Sequence, residues 1–184
     1  MTKIPTYLDN INDWRDIVKD KSIILDSDTI IALLKFGAQE SILKIFKNLK
    51  CDLWTINPVE IELKRTDSSK ERLKRETFLV ENNVITYPFW QQKEIMDMTD
   101  IVRLYLQNLR KYPSPTDLYL GASISKLSST NTTYLLTGNT TDFPLPLFKR
   151  DAHLILQNRF TYKILSFISA DQDVLKEFKS QTPS

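Results

Sequence analysis

The stretch that decides the fold reads Ser22-Ile23-Ile24-Leu25-Asp26-Ser27-Asp28-Thr29-Ile30-Ile31-Ala32-Leu33-Leu34. An apolar run ends here in two carboxylates, and a second apolar run follows them at once. Residues 22–25 predict a buried strand, and residues 29–36 predict a helix that stops at Gly37. This order places Asp26 and Asp28 at the carboxyl edge of a sheet, where open α/β sheets bind ligands. Negative charge gathered there is costly unless a cation compensates it.

Length and composition predict one ordinary globular domain over residues 1–184, with a helical extension at 1–20 and a C-terminal strand and helix at about 150–184. Apolar residues make up 41% of the chain and charged residues 26%. Only three glycines are present, which argues against a Gly-rich phosphate loop. The net charge of +2 favours neither the presence nor the absence of a nucleic-acid partner.

The chain has one cysteine, Cys51, and one histidine, His153. A zinc site of Cys/His type and an intrachain disulfide are therefore excluded within one chain. A Ser-His-Asp site would depend on His153 alone, and no nucleophile-elbow motif accompanies it. No stretch approaches the roughly 18 continuous apolar residues of a membrane span, and the N-terminus has no apolar signal core. We therefore expect a cytoplasmic protein with no membrane partner.

Strand patterns alternate with helical patterns along the whole chain. Further strands are predicted at residues 51–56, 84–87, 134–137 and 160–167. Helices are predicted at residues 42–49, 57–63, 64–76, 95–109, 116–126, 152–157 and 171–178, and a short N-terminal helix is predicted from Leu8, Ile11, Trp14 and Val18. This alternation predicts an α/β fold with a parallel sheet covered on both faces.

Acidic residues recur at the strand ends and helix starts of this layout. They are Asp26 and Asp28 after the first strand, Glu60 and Glu62 after the second, Asp117 at a helix start and Asp142 after the strand at 134–137. Because the strand-to-helix loops of a parallel sheet share one edge, these acids are expected to converge. Mg²⁺ or Mn²⁺ would relieve their repulsion, since both prefer oxygen ligands. Such an ion can activate water for phosphodiester hydrolysis.

Four fragments in this order resemble a known family. Residues 25–31, Leu-Asp-Ser-Asp-Thr-Ile-Ile, resemble the opening motif of PIN-domain nucleases, including VapC-type toxins. Residues 59–63, Val-Glu-Ile-Glu-Leu, resemble their second motif, and residues 117–122, Asp-Leu-Tyr-Leu-Gly-Ala, their third. Residues 136–143, Leu-Thr-Gly-Asn-Thr-Thr-Asp-Phe, resemble the fourth. Each fragment alone is weak, whereas the ordered set is fairly specific.

The resemblance implies a three-layer α/β/α sandwich around a mainly parallel sheet. It implies a Mg²⁺- or Mn²⁺-dependent ribonuclease in which four acids hold the metal and activate water, namely Asp26, Glu62, Asp117 and Asp142. Thr137 and Asn139 would order the metal shell or the scissile phosphate. RNA would be the substrate. The partners of such toxins are a small antitoxin protein and a second copy of the chain, as in a type II toxin–antitoxin pair.

Several roles stay open on the sequence. Glu60 and Glu62 lie about 200° apart on a helix, so only one faces the pocket, and the motif spacing favours Glu62. Asp28 is either a further metal ligand or a helix cap. Lys64 and Arg65 are near enough to Glu62 to contact substrate phosphates, or they belong to a solvated helix face.

Each of the four acids also has a structural alternative. Asp26 and Asp117 are both good helix caps, Glu62 could pair with a nearby base, and Asp142 could be a turn residue.

Two other functions compete with the nuclease. One is a non-catalytic PIN-fold module that binds RNA or protein. The other is a haloacid-dehalogenase-like phosphatase, whose first motif also carries Asp-x-Asp after a strand. That motif needs Thr or Val where Ile30 stands, and its later Asp-Asp pair is missing.

Overall fold

The structure is a computed structural model and describes residues 13–87, 113–127, 132–143, 145 and 147–181. Seven helices are described: α1 Trp14–Val18, α2 Ser27–Phe36, α3 Gln39–Asn48, α4 Asn57–Lys64, α5 Ser69–Glu81, α6 Pro115–Leu127 and α7 Gln172–Gln181. Six strands are described: β1 Ser22–Leu25, β2 Asp52–Ile56, β3 Ile85–Tyr87, β4 Thr133–Thr137, β5 Phe148–Gln157 and β6 Tyr162–Ala170.

The six strands form one mixed sheet in the order β3-β2-β1-β4-β6-β5. Strand β1 pairs in parallel with β2 and with β4, and β2 pairs in parallel with β3. Strand β6 runs antiparallel to both β4 and β5. The fold is thus α/β with a mostly parallel sheet, and its helices are compatible with the predicted three-layer sandwich.

Strands β1 and β4 form the buried centre of the sheet. Ile23, Ile24 and Leu25 are almost fully buried, and every residue of β4 is buried. A strand covered on both faces needs a continuous apolar run, which explains why both segments lack the alternation of a half-exposed strand. Because Leu25 is in register with Leu136, the two strands end side by side. The residues that follow them are therefore neighbours in space.

Helix α2 starts directly after β1 and ends where the sequence predicts. The Asp26 side chain caps its first turn. Gly37 ends it in the left-handed conformation at φ 63°, and the Gly37 N–H donates to the carbonyls of Leu33 and Leu34. The Thr29 hydroxyl donates to the Leu136 carbonyl at 2.5 Å, which ties α2 to the end of β4.

The predicted helix at 152–157 is wrong, because these residues belong to β5. Ala152, Leu154 and Leu156 are buried on one face of that strand. His153 lies between them on the other face, with its Nδ1 2.9 Å from the Ser166 hydroxyl. The pairing of β5 with β6 outweighs the helical preference of the local residues. The C-terminal region is therefore a β-hairpin followed by α7, not a single strand and helix.

An aromatic cluster joins the N-terminal helix to the sheet. The Trp14 ring stacks on Phe167 with centroids 5.5 Å apart and meets Phe46 edge-on at 5.7 Å. The buried Trp14 and Val18 agree with the predicted helix face.

Leu8 and Ile11 of the predicted N-terminal helix lie outside the described residues, as does the predicted helix at 95–109. The single-domain organisation over residues 1–184 stays a prediction.

Candidate functional site at the carboxyl edge of the sheet

Asp26 is the buried centre of the site, with only 4% of its surface exposed. Its Oδ1 accepts a hydrogen bond from the Thr29 N–H at 2.7 Å, and its Oδ2 accepts one from the Thr137 hydroxyl. Burial raises the pKa of Asp26 to about 7; the two hydrogen bonds oppose this rise, and the charges of Asp28 and Asp117 add to it. A carboxyl group with such a pKa can exchange a proton near neutral pH.

Asp117 lies in the first turn of α6 and is 9% exposed. The Ser114 hydroxyl donates a hydrogen bond to Asp117 Oδ2 at 2.6 Å. The Asp117 backbone N–H donates to the Ser114 hydroxyl oxygen at 3.2 Å. Burial raises the pKa of Asp117; the Ser114 hydrogen bond opposes this rise, and the charges of Asp142 and Glu62 add to it. Ser114 is therefore the residue that caps α6, because its hydroxyl oxygen accepts the Asp117 N–H. Asp117 follows in the first turn, where the charges of the other acids help to raise its pKa.

The two glutamates of α4 point to different neighbours. Glu62 accepts a hydrogen bond from the Ser27 hydroxyl at 2.6 Å, beside Asp26 at the start of α2. Glu60 accepts one from the Thr86 hydroxyl of β3 at 2.5 Å. Glu62 thus faces the acids, as the motif spacing favours. The position of Glu60 on α4 directs it to the neighbouring strand, and its place among the site residues stays a prediction.

The loop after β4 links Asp142 to Asp26 through a chain of hydrogen bonds. The Asn139 side-chain amide donates to Asp142 Oδ2 at 2.6 Å, and the Asn139 backbone N–H donates to the Thr137 hydroxyl at 2.9 Å. That hydroxyl in turn donates to Asp26. Thr137 and Asn139 therefore position carboxylates, and their ordering of a metal shell or scissile phosphate stays a prediction. The Phe143 N–H also closes a turn onto the Thr140 carbonyl at 3.4 Å, so Asp142 is a turn residue as well.

A lysine that the sequence analysis missed completes the site. Lys163 Nζ, from β6, lies 2.8 Å from Asp28 Oδ2. Gly138 makes room for this pair, because a Cβ at that position would lie 2.2 Å from Asp28 Oδ2 and 2.4 Å from Lys163 Cε. Asp28 is therefore an ion-pair partner, whereas Asp26 is the helix cap. No local pattern in the sequence predicts this pair, because Asp28 and Lys163 are 135 residues apart.

The sequence analysis missed two further residues whose hydroxyl groups contact the acids. It also predicted one basic pair whose side chains do not contact the acids. Ser27 and Ser114 each hold an acid; a Ser three residues before Asp117 is a recognisable helix-start signature. Lys64 and Arg65 are exposed at the C-terminal end of α4. In the described part of the chain their side chains form no hydrogen bond or ion pair with the four acids, and their phosphate contacts stay a prediction.

The oxygen donors suit Mg²⁺ or Mn²⁺ by their chemistry. Among the described residues, however, no group of three or more carboxylate, histidine or cysteine side chains is arranged to hold a metal ion. Each of the four acids instead accepts a hydrogen bond from a neighbouring hydroxyl, amide or backbone N–H. The acids share an electrostatic environment without converging on one point.

In comparisons with known proteins, no family model, curated protein or solved structure matches this chain. Within the described ranges, no helix is long and apolar enough to cross a membrane.

Proposed function

We propose that the chain is a metal-dependent endoribonuclease of the PIN class, which hydrolyses RNA phosphodiester bonds with a carboxylate-held Mg²⁺ or Mn²⁺ ion and activated water. One observation carries the proposal: hydrogen bonds join Glu62 to Ser27, and Asp142 through Asn139 and Thr137 to Asp26, at the edge where β1 and β4 end. The causes of the raised pKa values of Asp26 and Asp117 support it. Asp26 is repelled by Asp28 and Asp117, and Asp117 by Asp142 and Glu62. A fold gains nothing in stability from such crowding, so a ligand that relieves it is the simplest reason for it.

Asp26, Glu62, Asp117 and Asp142 would hold the ion. When bound, it would neutralise the crowded charge, polarise a phosphoryl oxygen and lower the pKa of a bound water. The chain's own groups supply the positioning: Ser27, Thr137 and Asn139 orient carboxylates by hydrogen bonds. Lys163 brings a positive charge to the same edge, where it can attract a substrate phosphate.

The proposal is tested by cleavage of single-stranded RNA with Mg²⁺ or Mn²⁺. Asp26→Asn keeps the size of the side chain and removes its charge, and we expect it to abolish cleavage. Glu60→Gln is the matched control, because it neutralises an acid of the same region that hydrogen bonds to Thr86. Equal cleavage by Asp26→Asn and the wild type would remove the mechanism.

A non-catalytic module that binds RNA or protein is the second candidate. The observation that favours it is the absence, among described residues, of three carboxylates arranged around one point. Such a module would bind its partner equally well with EDTA and with Mn²⁺. Binding without cleavage under both conditions would select it.

The toxin role and the small antitoxin partner rest on the motif resemblance alone. A type II pair is encoded by adjacent reading frames. A short neighbouring frame with a DNA-binding start and an amphipathic tail would support this role, and suppression of RNA cleavage by its purified product would test it directly.

A further inference from the structure

The β5–β6 hairpin extends past the end of β4 on the side of the acidic site. The last pair between β4 and β6 joins Thr137 to Ser166, and β6 runs antiparallel to β4. Residues 162–165 therefore lie beyond the carboxyl end of β4, still paired to β5. Lys163 is the point at which this extension reaches the acids, through Asp28.

The end of the hairpin, residues 157–164, forms a turn whose backbone is held by hydrogen bonds to Asn158. The Asn158 side-chain oxygen accepts hydrogen bonds from the N–H groups of Phe160 and Thr161, both at 2.9 Å. The Asn158 N–H also donates to the Thr161 carbonyl at 3.0 Å. These bonds fix the backbone that carries Arg159 and Phe160 at the tip.

Phe160 is 84% exposed, although a benzyl side chain of this size normally covers a core or an interface. The Arg159 guanidinium lies 5.4 Å from the centre of its ring. Phe160 is three residues from Lys163, so the two Cα atoms are at most about 11 Å apart. An exposed aromatic ring with one cation against it thus lies within three residues of Lys163, which contacts Asp28 of the acidic site.

The positive charge of the hairpin tip indicates which kind of ligand it binds. Residues 152–170 contain no acidic residue, whereas the tip carries Arg159 and Lys163. A single-stranded nucleic acid matches this combination, because its phosphates pair with cations and its bases stack on aromatic rings regardless of sequence. The other occupant that would cover an exposed ring, a second copy of the chain, is an outcome of the test below.

We propose that the hairpin tip binds single-stranded RNA beside the acidic site, with one base stacked on Phe160 and the flanking phosphates held by Arg159 and Lys163. This inference rests on the proposed nuclease function, since it assigns how that substrate is gripped. Tyr162, which is 69% exposed, lies on the face of the hairpin opposite Lys163 and is not part of this RNA-binding site.

The experiment measures binding separately from cleavage. A fluorescein-labelled RNA of about ten uridines is titrated with the full chain in EDTA, and its anisotropy gives Kd. We expect Phe160→Ala to raise Kd by about tenfold, and Arg159→Gln and Lys163→Gln each to reduce the salt slope of log Kd by about one. Tyr162→Ala removes an aromatic ring of similar exposure from the same hairpin, and we expect its Kd to stay within about twofold of the wild type.

Three results would overturn the inference: no RNA binding by the wild type, an unchanged Kd for Phe160→Ala, or an equal rise in Kd for Tyr162→Ala. Sedimentation of the same variants gives a fourth result that would overturn it. If Phe160→Ala converts a dimer into a monomer and leaves Kd unchanged, the tip belongs to a second copy of the chain.

The two proposals fail separately. If the Phe160 effect on Kd is present but no divalent ion supports cleavage, the nuclease proposal fails and the tip assignment stands. If cleavage depends on Asp26 but Phe160→Ala leaves Kd unchanged, only the tip assignment fails.

Discussion

Lys163 Nζ lies 2.8 Å from Oδ2 and 3.1 Å from Oδ1 of Asp28, so a cation of β6 contacts an acid at the start of α2. The side chains of Lys163 and Asp28 are 35% and 40% exposed. A pair this accessible to water contributes at most about 1 kcal/mol to stability. The pair matters for function and not for stability, because it brings positive charge to an edge of the sheet that is crowded with carboxylates.

Lys163→Gln should therefore impair RNA cleavage far more than folding. Losing one charged contact to a phosphate corresponds to roughly a tenfold or larger drop in kcat/KM. The melting temperature should stay within about 4 °C of the wild type. Lys74→Gln is the control, because Lys74 also forms an exposed ion pair, with Glu71 at 3.2 Å on α5. A kcat/KM equal to that of this control would contradict a role for Lys163.

Asp26→Asn should stabilise the protein at alkaline pH. The pKa of Asp26 is about 7 in the folded state against 3.8 for an unperturbed aspartate carboxyl. The folded chain therefore binds the proton more tightly, so this contribution to stability is full below about pH 4 and is lost as pH rises through about 7. Urea unfolding should give a free energy that falls from pH 5.5 to 8.5 by about 2 kcal/mol.

The Asn variant should lose most of that pH dependence. A remaining slope from Asp117 is expected, because its pKa is raised as well. Glu60→Gln serves as the control and should keep the steep decline. A wild-type slope retained in Asp26→Asn would mean that this carboxyl does not titrate as its burial implies.

Thr137→Val should raise the pKa of Asp26 further, because the Thr137 hydroxyl stabilises the charged carboxylate. The pH–rate profile of RNA cleavage should shift to higher pH, and unfolding should cost about 1–3 kcal/mol less. Thr55→Val is the matched control: the buried Thr55 hydroxyl donates to the Leu25 carbonyl at 3.0 Å and does not contact Asp26. It should lower stability and leave the pH profile in place.

Gly138→Ala and Gly37→Ala should have opposite consequences. A methyl group at Gly138 would displace the ends of Asp28 and Lys163, which are flexible, so stability should change by less than about 1 kcal/mol while RNA cleavage falls. At Gly37 nothing lies within 4 Å, but φ of 63° disfavours Ala. That variant should lose about 1 kcal/mol and keep full activity. Thermal melts and kcat/KM measure both effects.

Mn²⁺ should raise the melting temperature of the wild type and not that of Asp26→Asn. A cation that binds only the folded chain adds about 2.7 kcal/mol at a hundredfold excess over Kd. The rise should be larger at pH 8 than at pH 5.5, because protons compete for the raised carboxyls. A rise of the same size in both proteins would place the ion elsewhere.

Local patterns were enough to predict the elements that build the site. The apolar run before Asp26 predicts β1, and the helix that follows ends at Gly37 as expected, because burial and capping act over a few residues. The order of strands along the chain also predicts that these acids lie at one edge of the sheet, since parallel strands share one carboxyl edge. Their convergence on one ion stays a prediction. The helix predicted at residues 152–157 was wrong: the local residues suit a helix, and only pairing with β6 makes the segment a strand.

The sequence by itself determined that carboxylates gather at the end of β1, because the turn from an apolar strand into a capped helix is local chemistry. Tertiary structure alone decided what meets them. The Ser27 hydroxyl hydrogen bonds to Glu62, and the Thr86 hydroxyl hydrogen bonds to Glu60. Lys163, which contacts Asp28, follows it by 135 residues in the chain. Such contacts depend on how the strands are ordered and oriented in the sheet, which no local pattern encodes.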